Sequence, residues 1–177
     1  MKNLKCYFIQ GFLFVVITGS IAHFVYDWSG ENSLLGFLFP INESVWEHMK
    51  LCFFPMLLYS FYLNAKLEDA YPCIRTASLA GTLLSAFLIP VLFYTYSGIF
   101  GRSYALLDIM TFVISVLLSF IAMYKLTRSC KLSSYKTQLT TMVLLLAICF
   151  FLFTYRPPNI GIFTDPTASQ ESNSLNP

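Results

Sequence analysis

Two histidines and a handful of carboxylates carry most of the chemistry this chain could perform. His23 and Asp27 stand one helical turn apart at the end of the first apolar segment, and Glu43, Glu47 and His48 open the second. Two imidazoles and a carboxylate make a legitimate ligand set for zinc or non-haem iron. The placement predicts His23, Glu43, His48 and Asp108 as ligands of a divalent metal. Glu47 is the expected catalytic residue, a general base acting on metal-activated water. Glu43, Glu47 and Lys50 fall at i, i+4 and i+7, so a helix that includes all three aligns them on one face, where Lys50 can neutralise a carboxylate. His48 then points about 100° away from Glu47, toward a neighbouring helix such as the one carrying His23. There is no HExxH, no Glu-x-x-His repeat and no cysteine beside either histidine. The metal reading therefore rests on composition and placement rather than on a motif. Nothing resembles a nucleotide-binding loop, a nucleophile elbow or a haem-attachment motif.

The elements that must position these groups are membrane helices. Of 177 residues, 56% are hydrophobic and only 11% charged, with eighteen Phe and eleven Tyr. A soluble domain carries about 25% charged residues. Five apolar segments pass the length test for a lipid span: Tyr7–Tyr26, Ser44–Ala65, Thr76–Tyr96, Tyr104–Tyr124 and Thr137–Tyr155. The expected fold is all-α, a polytopic bundle of about five transmembrane helices. Pro55 and Pro90 fall inside the second and third spans, as a bundle tolerates when neighbours satisfy the released carbonyls. The first span follows Lys2 and Lys5 but lacks a small-x-small cleavage site, so it reads as retained rather than as a signal peptide.

Orientation follows the basic residues. Lys2, Lys5, Lys66, Arg75, Lys125, Arg128, Lys131 and Lys136 share one side, against Arg102 and Arg156 on the other with Lys50 inside the second helix. This bias predicts N-in and C-out, and it gathers His23, Asp27, Glu43, Glu47, His48, Lys50, Arg102, Asp108 and Arg156 in the outer half. Asn42 is the expected cap of the second helix, with a Ser44…Glu47 capping box as the competing register. Trp28 and Trp46 read as markers of the outer interface. Ala77, Gly81 and Ser85 give the third span a groove for close approach, and Thr111, Ser115 and Ser119 continue a polar stripe from Asp108 along the fourth. The five cysteines are odd in number and form no CxxC, so no structural disulfide is expected. Residues 1–166 read as a single transmembrane domain and 167–177 as a disordered polar tail.

The runs His23-Phe24-Val25-Tyr26-Asp27-Trp28-Ser29-Gly30 and Pro40-Ile41-Asn42-Glu43-Ser44-Val45-Trp46-Glu47-His48-Met49-Lys50 resemble a family of small, uncharacterised multi-spanning membrane proteins common in clostridia-like Gram-positive bacteria. The similarity continues through Phe53-Phe54-Pro55 and into the late Arg156-Pro157-Pro158…Asp165-Pro166. After Pro166 the sequence departs from that family's usual closing segment. The resemblance implies a fold and a membrane location, and no activity.

Three functional readings stay open: an integral membrane protein binding a ligand or ion at the outer polar cluster, a metal-assisted membrane hydrolase, and a small-molecule or cation transporter. The expected partners are the lipid bilayer, a small molecule or cation and a second copy of the chain in a homo-oligomer. The absence of a basic stripe argues against nucleic acid.

Overall fold

The computed structural model describes residues 3–165 and is all-helical. The expectation of a disordered tail over 167–177 lies outside the described residues. The helices are α1 (Leu4–Trp28), a single turn α2 (Ser33–Gly36), α3 (Val45–Leu67), α4 (Ile74–Phe100), α5 (Ala105–Ser129) and α6 (Lys136–Phe153), with 3-10 turns at Ser133–Tyr135 and Gly161–Phe163. Most long helices run a few residues beyond the apolar segments that predict them, because the hydrogen-bonded turns continue past the last lipid-compatible side chain. Four units are long and apolar enough to cross a membrane: α1, α4, α5 and the stretch Ser133–Phe153. The chain is a multi-pass membrane protein. α3 is long enough as well, but Glu47, His48 and Lys50 give it a polar first turn.

α3 sits at the centre, packed on α1 and α4, while α5 completes the core against α4 and α1, and α6 lies along α4. Phe53, Met56, Leu63, Ile74, Val116, Met123 and Phe150 are fully buried among these helices. The outward residues are apolar too: Ile9, Leu13, Ile17 and Ile21 on α1, and Leu144, Leu145, Ile148 and Leu152 on α6, are exposed. Lipid is as apolar as these side chains, so helix association here depends on close packing and on polar contacts between helices. Gly81, within the small-residue groove of α4, lies directly against Met123 of α5. Ser60 of α3 and Thr82 of α4 share a hydrogen bond of 3.3 Å. Pro55 and Pro90 are accommodated inside α3 and α4.

The α4–α5 register is fixed at three levels, by Tyr96 with Asp108, Gly81 with Met123, and Cys73 with Cys130. The last of these corrects an expectation: Cys73 and Cys130 form a disulfide across 57 residues of chain. Neither belongs to a CxxC. Antiparallel pairing nevertheless brings the start of α4 beside the end of α5, so the two thiols meet through topology and not through local spacing.

Candidate metal centre

The segment between α1 and α3 is built to return the chain to the same end of the bundle. Gly30 and Glu31 adopt positive φ (70° and 62°), turning the chain sharply after α1. Asn32 caps α2 by accepting a hydrogen bond from the Leu34 amide at 2.9 Å. Pro40 to Asn42 then lead into α3, whose N-cap is Ser44, accepting from the Glu47 amide at 3.4 Å. Asn42 supports that cap by accepting from the Ser44 amide at 3.0 Å. The Glu47 carboxylate does not close a reciprocal capping box. It reaches further back and accepts from the Ile41 amide at 3.1 Å.

Because α3 begins at Val45, Glu43 lies outside the helix and does not share the face of Glu47 and Lys50. Its amide donates to Asp165 at 3.2 Å, and its carboxylate turns toward the two histidines. Glu43 Oε2 lies 3.5 Å from His23 Nε2 and 3.4 Å from His48 Nε2. The imidazole rings stand edge to face with centroids 5.3 Å apart. One ligand atom from each residue lies within 4.8 Å of the others.

Three features suit this trio to a divalent metal. Tetrahedral bonds of about 2.05 Å give a ligand–ligand edge of about 3.3 Å, close to both Glu43 contacts. His48 Nδ1 sits 2.9 Å from the Ser44 carbonyl. A carbonyl only accepts, so Nδ1 carries a proton, and in the neutral form of the ring it is Nε2 that presents the lone pair. That backbone partner is the kind that orients a metal-binding imidazole. In that neutral form a lone pair facing the Glu43 carboxylate is repulsive, and a cation between them makes the arrangement favourable. Finally, the His23, Glu43 and His48 side chains remain 32%, 44% and 22% exposed, which leaves room for water in an open coordination position. The hydrogen bond with His23 holds the Glu43 carboxyl below its ordinary value, against burial that acts the other way.

His23 reaches this point because α1 and α3 approach closely one turn below it. A Cβ on Gly19 would come within 2.5 Å of the Phe112 ring and 2.7 Å of the Leu51 carbonyl oxygen. Any larger residue there pushes α1 away from α3, and His23 with it.

Beside the trio lies a cleft of about 60 Å³ lined by Glu43, His48, Asp108 and Thr111, with Ile89 and Phe93 among its apolar walls. Asp108 faces this cleft from α5 without joining the three-residue cluster, and accepts a hydrogen bond from Tyr96. Arg102 donates to Tyr104 at 2.7 Å and stacks on its ring. Asp27 is exposed at the end of α1.

Glu47, the expected base, is 2% exposed and pairs with Lys50 Nζ at 2.7 Å. Lys50 uses three donors, to Glu47, to the Gly36 carbonyl at 3.0 Å and to Thr154 at 2.6 Å. The pair thus ties α2, the Pro40–Ser44 loop and the end of α6 to α3, and sets the path of the loop that carries Glu43. Trp46, expected at the interface, is buried against Phe150 and Phe163, both at 4.8 Å. Its contact with Phe163 and the Asp165–Glu43 bond hold the segment after α6 against the loop that carries Glu43. Trp28 is exposed and stacks on Phe24. The signal for the Glu47–Lys50 lock was the i, i+3 spacing of two opposite charges; the Gly36 and Thr154 partners had no local signal.

Fold and site together define a multi-pass helical membrane protein whose His23, Glu43 and His48 can coordinate a divalent metal. The chain belongs to DUF6512, a family of unknown function whose model matches residues 1–172. No curated protein and no solved structure matches it.

Proposed function

We propose that this protein is a metal-assisted membrane hydrolase whose divalent ion is held by His23, Glu43 and His48 at the outer face of a five-span, N-in/C-out bundle. The observation that carries the reading is the convergence of three ligand atoms within 4.8 Å, with His48 fixed in the tautomer that offers Nε2. α3 counts as the fifth span because it begins beside this cluster and ends at Leu67, one short turn before α4 starts at the opposite, disulfide-bearing end. That opposite end also carries Lys66, Arg75, Lys125, Arg128, Lys131 and Lys136, which supports placing it inside.

Two imidazoles and a carboxylate with an open position form a catalytic rather than a closed structural ligand set. A divalent ion bound there lowers the pKa of coordinated water toward about 7 and so supplies a nucleophile near neutral pH. Asp108, across the cleft, is placed to accept a proton, and its bond from Tyr96 fixes its orientation. Glu47 acts one step removed, by holding Ile41 and the loop of Glu43. The apolar walls at Ile89, Phe93 and Phe112 favour substrates with an acyl or other apolar group.

The test uses p-nitrophenyl esters of graded chain length with detergent-purified, zinc-loaded protein. Hydrolysis that is removed by chelation, restored by metal and lost in His48→Ala is expected; turnover indifferent to both would overturn the reading. A second reading, cation transport, draws on one observation. The Ser115 and Ser119 hydroxyls, on the stripe that continues from Thr111, are buried without a hydrogen-bond partner among the described residues. Divalent-cation flux into proteoliposomes, sensitive to His48→Ala, would favour it, and absence of flux would remove it.

A further inference from the structure

A second binding feature lies at the other end of the bundle, between α1 and α5. An open groove of about 350 Å³ is lined by Phe8, Ile9, Phe12, Leu117, Phe120, Ile121 and Tyr124, with Lys5 as its one charged lining residue. Its volume falls in the range of about 300–1,000 Å³ typical of ligand pockets. Its floor is aromatic: Phe8 stands edge to face on Phe120 (6.0 Å) and on Tyr124 (5.9 Å). Gly11 brings α1 down onto Phe120 and Tyr59 at the next turn, so the helices touch there and splay around the groove.

The polar groups of the groove are all at one end. Lys5 lines it, and Arg128 is tied to it through Tyr124, donating to the phenolic oxygen at 3.2 Å with its guanidinium over the ring at 5.7 Å. No lining residue is acidic. An apolar trough running along two membrane helices, with Lys5 in its lining and Arg128 beside it on Tyr124, matches a molecule with a long apolar chain and a negative head.

We propose that this groove binds an anionic glycerophospholipid, its acyl chain along Phe8, Phe12, Leu117 and Ile121 and its phosphate between Lys5 and Arg128. The apolar part excludes a free phosphate ion as the natural occupant, and the paired cations select an anionic over a zwitterionic headgroup. The basic end is also the end expected to face the anionic cytoplasmic leaflet, where each nearby Lys or Arg favours an acidic lipid. The site is independent of the metal centre and of any activity there.

Brominated acyl chains quench tryptophan fluorescence on contact and report which lipid occupies the groove. Leu117→Trp in a Trp28→Phe background places a reporter in the trough, and Leu144→Trp on the exposed face of α6 serves as the control. Both proteins are reconstituted in phosphatidylcholine vesicles containing brominated phosphatidylglycerol or brominated phosphatidylcholine. At Leu117→Trp we expect phosphatidylglycerol to be preferred about fivefold or more, with Lys5→Gln and Arg128→Gln each reducing the preference by up to about fivefold. At Leu144→Trp the preference should be near one. A reporter at Ile121→Trp must give the same preference as Leu117→Trp. Equal affinities at the groove and control reporters, or a preference that survives double neutralisation, would overturn the proposal.

Discussion

Replacing Lys50 by methionine should be among the most destabilising single changes in this chain. The side chain is 1% exposed, and its ammonium makes three hydrogen bonds, to Glu47, Gly36 and Thr154. Methionine keeps the apolar stem and removes all three, leaving the Glu47 carboxylate 2% exposed with the Ile41 amide donating to it and no cation beside it. Removing one member of a buried ion pair costs about 3–5 kcal/mol, because the remaining charge keeps its desolvation penalty without its partner. Glu47→Gln should cost a similar amount by leaving the ammonium unpaired. The double variant Glu47→Gln/Lys50→Met has no stranded charge and should fall short of the sum by about 2 kcal/mol or more. SDS-titrated unfolding, followed through the fluorescence of Trp46 beside Phe150 and Phe163, measures all three. Costs that add within about 0.5 kcal/mol would refute the reasoning, since additivity is the mark of uncoupled groups.

Other consequences are as direct. Metal affinity should fall as pH drops and protons compete for the imidazoles, by as much as a hundredfold per pH unit for two competing histidines. Glu43 contributes to that fall only at lower pH: its carboxyl value is depressed in the folded protein, so its stabilising charge is fully present above the ordinary 4.5 and is lost as pH drops through the depressed value. Isothermal titration with zinc across pH 5–8 reads the histidine-driven fall, and titration continued below pH 4.5 reads the contribution of Glu43. Gly19→Ala should weaken zinc binding at least tenfold by displacing α1 from the Leu51 carbonyl, while Gly98→Ala, which meets nothing within 4 Å, should leave binding unchanged. Cys73→Ser should cost up to the ~4 kcal/mol that closing a loop of this length removes from the entropy of the unfolded chain. The same unfolding assay measures it, and a thiol-trapping gel shift on membranes should show the bond in wild type.

Much of the bundle was legible in the sequence because lipid imposes a simple rule. A segment of about twenty apolar residues has no alternative to a helix there. The five long helices follow the five apolar segments, including α3, whose polar first turn keeps it out of a purely hydropathic criterion. The meeting of His23, Glu43 and His48 was also foreseeable, since helical spacing turns His48 away from Glu47 and chain reversal returns Glu43 to the end of α1. What the sequence hid was set by tertiary contacts. Glu43 does not share the helical face of Glu47, because Ser44 rather than Asn42 caps α3. Asp108 takes Tyr96 as its partner rather than a histidine or Arg102, because the α4–α5 register sets those two opposite each other. The Cys73–Cys130 bond depends on the same register, as does the place of Asp108 outside the cluster of His23, Glu43 and His48.

The disulfide also sharpens the question of orientation. Lys66, Arg75, Arg128 and Lys131 cluster at its end of the bundle, as the proposed N-in orientation requires, whereas disulfides persist in oxidising compartments. Both observations are satisfied if the pair cycles between thiol and disulfide, or if the bundle is inverted. Labelling Cys6, exposed near the start of α1, with a membrane-impermeant maleimide in intact cells separates the two.

The central claim is that His23, Glu43 and His48 hold a divalent ion. Elemental analysis of detergent-purified protein by inductively coupled plasma mass spectrometry tests it most directly. Close to one zinc, iron or manganese ion per chain is expected, falling to background in His23→Ala/His48→Ala while the helical circular dichroism is retained. Metal below a tenth of an ion per chain after incubation with each of these cations, or a content unchanged by the double substitution, would contradict it.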